Sequence, residues 1–142
     1  ALTALTAVEI AHLARIEKSS IRDVLMELKD AGLTSLPGGG AEVFSTAVRA
    51  TIADRKLTGE EWLRVHREAH ALGIPTNCTM LYGHVETVEE RVDHLLRLRA
   101  LQDETGGIPG LIPLAFHPEN TVFERRGWRV TAEEPEPAKG GR

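Results

Sequence analysis

A single cysteine, Cys78, stands in a chain of 142 residues. One thiol excludes an internal disulfide framework, and by itself it cannot hold a zinc ion or an iron–sulfur cluster. Long apolar runs are missing too: none approaches the roughly 20 residues that a membrane helix needs, so no membrane partner is expected. The opening Ala1-Leu2-Thr3-Ala4-Leu5 has neither the basic start nor the cleavage pattern of a secretory leader. Nor is there an excess of basic charge. The net charge is −4, which gives no reason to expect nucleic acid. With 42% hydrophobic and 27% charged residues, the composition is that of an ordinary cytoplasmic domain with the length to build a real core.

Taken in order, the chain alternates between two patterns. Residues 4–10 read as a strand with Glu9 near its end. Ser20 reads as an N-cap with Asp23 three residues on, and Ile21, Val24, Leu25 and Leu28 follow at helical spacing up to Gly32. A second strand covers Leu33 to Leu36. Phe44 to Ile52 predicts a short helix, and the capping pair Thr58/Glu61 opens another that ends at Gly73. Thr76 to Tyr82 is a third strand. Thr87/Glu90 repeats the capping box before a long helix that ends at Gly106-Gly107, and Gly110 to Phe116 is a fourth strand. Strict alternation argues for parallel strands with right-handed crossovers, starting roughly every 30 to 40 residues as in a (β/α) barrel. The expected fold is therefore α/β, a partial (β/α) TIM-type barrel of about four parallel strands with crossover helices, over residues 1–121. Residues 122–142 read as a divergent tail, disordered from Thr131. Half a barrel leaves two open edges, and a homodimer pairing through them is one way to cover them.

Polar groups gather at the ends of these apolar strands. Ser35-Leu36-Pro37-Gly38-Gly39-Gly40-Ala41-Glu42 breaks an apolar run with a glycine turn and an acid, a form that parallel folds use to offer a ligand site. A flexible strand-to-helix turn is the plain alternative. The other strand ends bring Glu9, then Tyr82, His84 and Glu86, then His117, Glu119 and Asn120. Carboxylates with imidazoles suit a divalent metal and an activated water; Glu9, His84 and His117 form the set for a metal hydrolase. The same groups suit hydrogen bonds to the hydroxyls and amine of a bound cofactor. Each residue also has a structural reading: Glu86 as the acid of a helix N-terminus, His117 before Pro118 as a turn residue, His94 as a packing residue. His66 and His70 lie four apart, but Arg67 stands where a zincin needs Glu, so the pair reads as a surface or packing feature. Cys78 reads as a small buried hydrophobe.

Leu36-Pro37-Gly38-Gly39-Gly40-Ala41-Glu42, Thr79-Met80-Leu81-Tyr82-Gly83-His84-Val85-Glu86-Thr87 and Ile112-Pro113-Leu114-Ala115-Phe116-His117-Pro118-Glu119-Asn120-Thr121 strongly resemble the aminodeoxyfutalosine synthase family. So do the stretches Arg91 to Arg99 and Leu101 to Gly107. The resemblance runs from about Thr6 to Thr121. It implies a radical S-adenosylmethionine transferase of the futalosine route to menaquinone, with a (β/α) barrel and a [4Fe–4S] cluster. In that family the 5′-deoxyadenosyl radical adds to the enolpyruvyl double bond of 3-[(1-carboxyvinyl)oxy]benzoate, a small-molecule substrate. Thr79-x-Leu81-x-Gly83-x-x-Glu86 is similar to the family's Gly-x-Ile-x-Gly-x-x-Glu, which supports the adenine; Thr79 replaces the first glycine.

By this resemblance Gly39, Gly40, Glu42, Leu81 and Glu86 bind the cofactor, and Glu9, His84, His117 and Asn120 face the substrate. No catalytic residue and no metal ligand is assigned. The family's Cys-x3-Cys-x2-Cys is absent from this sequence, and a [4Fe–4S] cluster needs several thiolates. The chain then corresponds to strands three to six of the barrel, a fragment or truncated relative unable to cleave S-adenosylmethionine alone. The alternative is a non-catalytic α/β module that binds a nucleoside or dimerises.

Overall fold

Local hydrogen bonding by side chains sets where most of the helices begin. In the computed structural model, which describes residues 1–125 and 127, Thr6, Ser20, Ser45, Thr58 and Thr87 each cap a helix by accepting an N–H three residues ahead. The helices are α1 (Ala7–Ile16), α2 (Ile21–Asp30), α3 (Thr46–Ile52), α4 (Gly59–Ala71), α5 (Val88–Thr105) and α6 (Val122–Arg125). The strands are β1 (Cys78–Tyr82) and β2 (Leu111–Ala115). Of the expected tail, Val122–Arg125 is this last short helix; residue 126 and residues 128–142 lie outside the described residues.

The first predicted strand is corrected. Ala7, Ile10 and Ala14 are buried along one face of α1, and Thr6 and Glu9 close a reciprocal capping box at its start. Extended pairing is confined to Thr3, ahead of that cap. Residues 7–10 are the start of a helix, not a strand, and Ala4 and Leu5 pack on the core ahead of it.

β1 and β2 pair in parallel, Cys78 opposite Leu111 through Tyr82 opposite Ala115. Two isolated parallel bridges extend the order, Thr3 to Ser35 and Leu36 to Thr76. Thr34 N–H donates to Leu2 O at 2.9 Å, Asn77 N–H to Leu36 O at 3.0 Å and Cys78 N–H to Gly110 O at 3.0 Å. The four extended segments thus lie side by side in chain order, although only the last two form full strands. The last three are followed by turns or bends, at Gly39–Gly40, Gly83–Val85 and Glu119–Asn120.

Trp62, Leu25, Ile10, Leu36, Ile74 and Leu101 fill the core between the helices and this edge-to-edge row, all without solvent exposure above 2%. Phe44 lies against Trp62 with ring centroids 5.4 Å apart. By contrast β2 is open. Leu111, Ile112 and Leu114 are exposed, as are Val88, Val92, Leu95 and Leu96 on α5. An apolar strand left uncovered by the described residues is unusual for a protein surface.

Candidate functional site

The glycine turn follows the Leu36 bridge and is held down carbonyl by carbonyl. Thr79 Oγ1 donates to Gly38 O at 2.6 Å, and Trp62 Nε1 to Gly39 O at 3.2 Å. Arg49 donates to Gly40 O at 3.2 Å, to Ala41 O at 2.5 Å and to Leu57 O. Leu81 N–H donates to Glu42 O at 3.0 Å. Glycine is required here: a Cβ on Gly38 would stand 2.7 Å from Asn77 O, and one on Gly40 2.6 Å from Val8. Gly40 and Glu42 both have positive φ, +87° and +46°, so Glu42 accepts a conformation that non-glycine residues seldom adopt. Its carboxylate pairs with Lys56.

Arg49 was not singled out by the sequence. It is 5% exposed and its Nε has no partner. Burial lowers its pKa, against the opposing pull of Glu42 and Glu61. Its three acceptors are carbonyls eight or nine residues away, and a carbonyl acceptor has no residue type to announce it. The only hint was a cation inside the otherwise apolar helix Thr46–Ile52.

The second turn, Gly83 to Glu86, closes on the Glu86 carboxylate. It accepts from Gly83 N–H at 2.6 Å, His84 N–H at 2.9 Å and Arg91 Nε at 2.6 Å. Burial raises its pKa, but those donors outweigh burial and hold it below the usual carboxylate range. Glu86 is thus committed within its own loop rather than left as a bare helix-terminal acid. His84 is buried as well. Its Nε2 donates to Leu81 O at 2.8 Å, and its ring meets Phe116 edge-on at 5.8 Å. Leu81 therefore ties the two turns together, its N–H to Glu42 and its carbonyl to His84.

The remaining residues sit around this pair of turns. Glu9 is exposed and spends its carboxylate on Thr6, whose N–H lies 2.6 Å away and lowers the Glu9 pKa. That cap abuts the turn, with Thr6 Cγ2 3.1 Å from where a Gly39 Cβ would be. His117 and Asn120 lie past β2. His117 is exposed with Glu119 at 3.8 Å, and Asn120 has φ +62° and donates its N–H to Glu124 at 2.8 Å. Direct hydrogen bonds join Glu42, Leu81, His84 and Glu86, and Gly39 and Gly40 share the Glu42 turn, whereas His117 and Asn120 bond outside this group, to Glu119 and Glu124.

Among the described residues no three His, Cys, Asp or Glu side chains gather as a metal site requires. His66 and His70 share Thr76 Oγ1, at 2.6 and 2.8 Å, so the pair packs α4 on the sheet. Of its two sequence readings, packing holds and surface does not. Cys78 is buried, and burial pushes its thiol up to about 12, so it is not a ready thiolate. His94 is buried with Nε2 3.0 Å from Thr79 O.

No family model matches the chain. Aminodeoxyfutalosine synthase of Thermus thermophilus is 58% identical over 120 residues, which cover 84% of this chain and 32% of that protein. The enzyme of the same name from Streptomyces coelicolor is 56% identical over 81% of this chain and 30% of its own length. A 5-amino-6-(D-ribitylamino)uracil--L-tyrosine 4-hydroxyphenyl transferase of Methanopyrus kandleri is 46% identical over 84% of this chain. The resemblance read from the motifs is therefore to homologues carrying that synthase name. The chain spans about a third of the length of these relatives.

Proposed function

From this similarity to one third of the aminodeoxyfutalosine synthases, we propose that the chain is four consecutive units of such an enzyme's (β/α) barrel. Its two joined turns then hold S-adenosylmethionine for adenosylation of 3-[(1-carboxyvinyl)oxy]benzoate in menaquinone biosynthesis. The 58% identity to a synthase of that name is the observation that carries the reading. Parallel contacts in chain order, with polar turns at one edge, support it, since barrel enzymes keep their sites at that edge.

The donor set suits the cofactor. Glu42 gives one carboxylate oxygen to Lys56, leaving the other for a ribose hydroxyl or an ammonium group. Glu86 acts from behind: it fixes the Gly83–His84 amides so that the backbone beside Leu81 offers a flat edge to adenine. When bound and reduced, S-adenosylmethionine supplies the 5′-deoxyadenosyl group for the transfer. Glu9, His84, His117 and Asn120 are assigned to the substrate side, with His84 acting through the loop it braces.

The [4Fe–4S] cluster does not fit these residues. Cys78 is the one thiol, buried and far from its thiolate form, and several are needed. No step is routed through a cluster on this chain, and the chain by itself releases no 5′-deoxyadenosine. The exposed apolar residues of β2 and α5 favour one second reading, a non-catalytic module that pairs with its copy through this edge.

A segment exchange tests the proposal. The corresponding third of the Thermus thermophilus synthase is replaced by this chain, and the purified chimera is assayed anaerobically for aminodeoxyfutalosine. Product is expected. A chimera that folds and loads its cluster yet leaves S-adenosylmethionine uncleaved would contradict the assignment.

A further inference from the structure

Every carbonyl of the glycine turn is occupied by the protein. Gly38, Gly39, Gly40, Ala41 and Glu42 give their oxygens to Thr79, Trp62, Arg49, Arg49 and Leu81 in turn. In a planar trans peptide the N–H points opposite the C=O, so holding the oxygens leaves the amides facing elsewhere. Among the described residues none of the amides of Gly39, Gly40, Ala41 and Glu42 has a protein acceptor. Gly39, Gly40 and Glu42 are half-buried, so a ligand can reach their amides, whereas Ala41 is fully buried and its amide is not open to one; an unpaired amide is costly.

The backbone conformation tells where such amides point. Gly40 and Glu42 have positive φ while Gly39 and Ala41 do not, an alternation of hand along four residues. That alternation turns successive N–H groups toward a common point, the concave nest that binds anions. The electrostatics agree. Arg49 lies beneath the turn, buried and with no carboxylate in ion-pair reach among the described residues. Lys56 adds a second cation against the single charge of Glu42.

We propose that the Gly39, Gly40 and Glu42 amides form a nest that receives a carboxylate, with Arg49 as the residue that positions it. The proposal deepens the function given above and rests on it for the ligand's chemistry: S-adenosylmethionine and the benzoate substrate each carry a carboxylate. The nest itself follows from the turn. Arg49 touches neither ligand; through Gly40 O and Ala41 O it sets the planes of the last two peptides of the turn, Gly40–Ala41 and Ala41–Glu42.

The test is an amide proton–nitrogen NMR titration of the chain with S-adenosylmethionine, with benzoate and with methyl benzoate. The Gly39, Gly40 and Glu42 amide protons are expected to move downfield and saturate with a carboxylate ligand and to ignore the methyl ester, while Gly106 stays in place. Movement with benzoate but not with S-adenosylmethionine upholds the nest and defeats the turn as the cofactor's site. If no carboxylate moves these amides, the nest is refuted whatever the enzyme does. Arg49→Lys, which keeps the charge but reaches fewer carbonyls, is expected to weaken binding about tenfold. Unchanged affinity in that variant would remove Arg49 from the proposal.

Discussion

Thr76 stands between two imidazoles, and hydrogen-bond direction fixes the state of both. Thr105 donates its hydroxyl to Leu101 O at 2.8 Å, so it must accept from His70 Nδ1–H at 2.7 Å. His70 Nε2 then accepts from the Thr76 hydroxyl, and Thr76 in turn accepts from His66 Nδ1–H. His66 Nε2 is left buried with no partner, so a proton there would find no acceptor. Burial, and then the neighbouring His70, lowers the His66 pKa to about 3; burial lowers that of His94 to about 4. Both values lie below the roughly 6.5 of an unfolded histidine, so the unfolded chain takes up protons that the fold refuses. The stability from these neutral rings is full above about pH 6.5 and drains as pH falls toward the folded values, by at most about 1.4 kcal/mol per pH unit per ring. Urea unfolding between about pH 7 and pH 4.5 is expected to show this decline, and His66→Gln to flatten it. Equal slopes in the two proteins would contradict the account. Glu86→Gln removes the charge that three donors share and is expected to cost about 3 kcal/mol in the same assay. A loss well under about 1 kcal/mol would show that the loop does not depend on the carboxylate.

Glycine turns and caps divide what was legible at the scale of elements from what was not. The caps at Ser20, Thr58 and Thr87 announce themselves because a cap is a local bond between residues three apart. Thr6 and Glu9 carry the same signature, yet the apolar residues beside them read as a strand; the cap should have decided it. Leu33–Leu36 is apolar and extended, but single bridges on either side keep it from becoming a full strand. The Gly83–Glu86 turn was visible as a motif, whereas the Arg49 clamp depends on carbonyls, which sequence does not mark. Packing also separates one glycine from another. Gly40→Ala places a methyl against Val8 at φ +87° and is expected to cost about 2–3 kcal/mol. Gly73→Ala, at φ +72° with open space around it, should cost only about 1 kcal/mol. Thermal unfolding of both, with Val8→Ala added to relieve the first, separates contact from backbone strain; equal losses would contradict the close approach.

At the scale of the whole molecule, two facts point the same way. The described residues leave β2 and one side of α5 apolar and uncovered, and the chain matches about a third of its relatives. A further strand and helix of the same barrel would cover that face. The lone buried thiol is the matching chemical gap under the proposed function, in which the cluster ligands come from another part of the enzyme. The central claim is that this chain works as part of a larger synthase. The intact mass of the native product in its own cells tests that most directly. The account predicts a species about three times the length of this chain, as a whole barrel with its flanks requires. A native product of 15.6 kDa would contradict it.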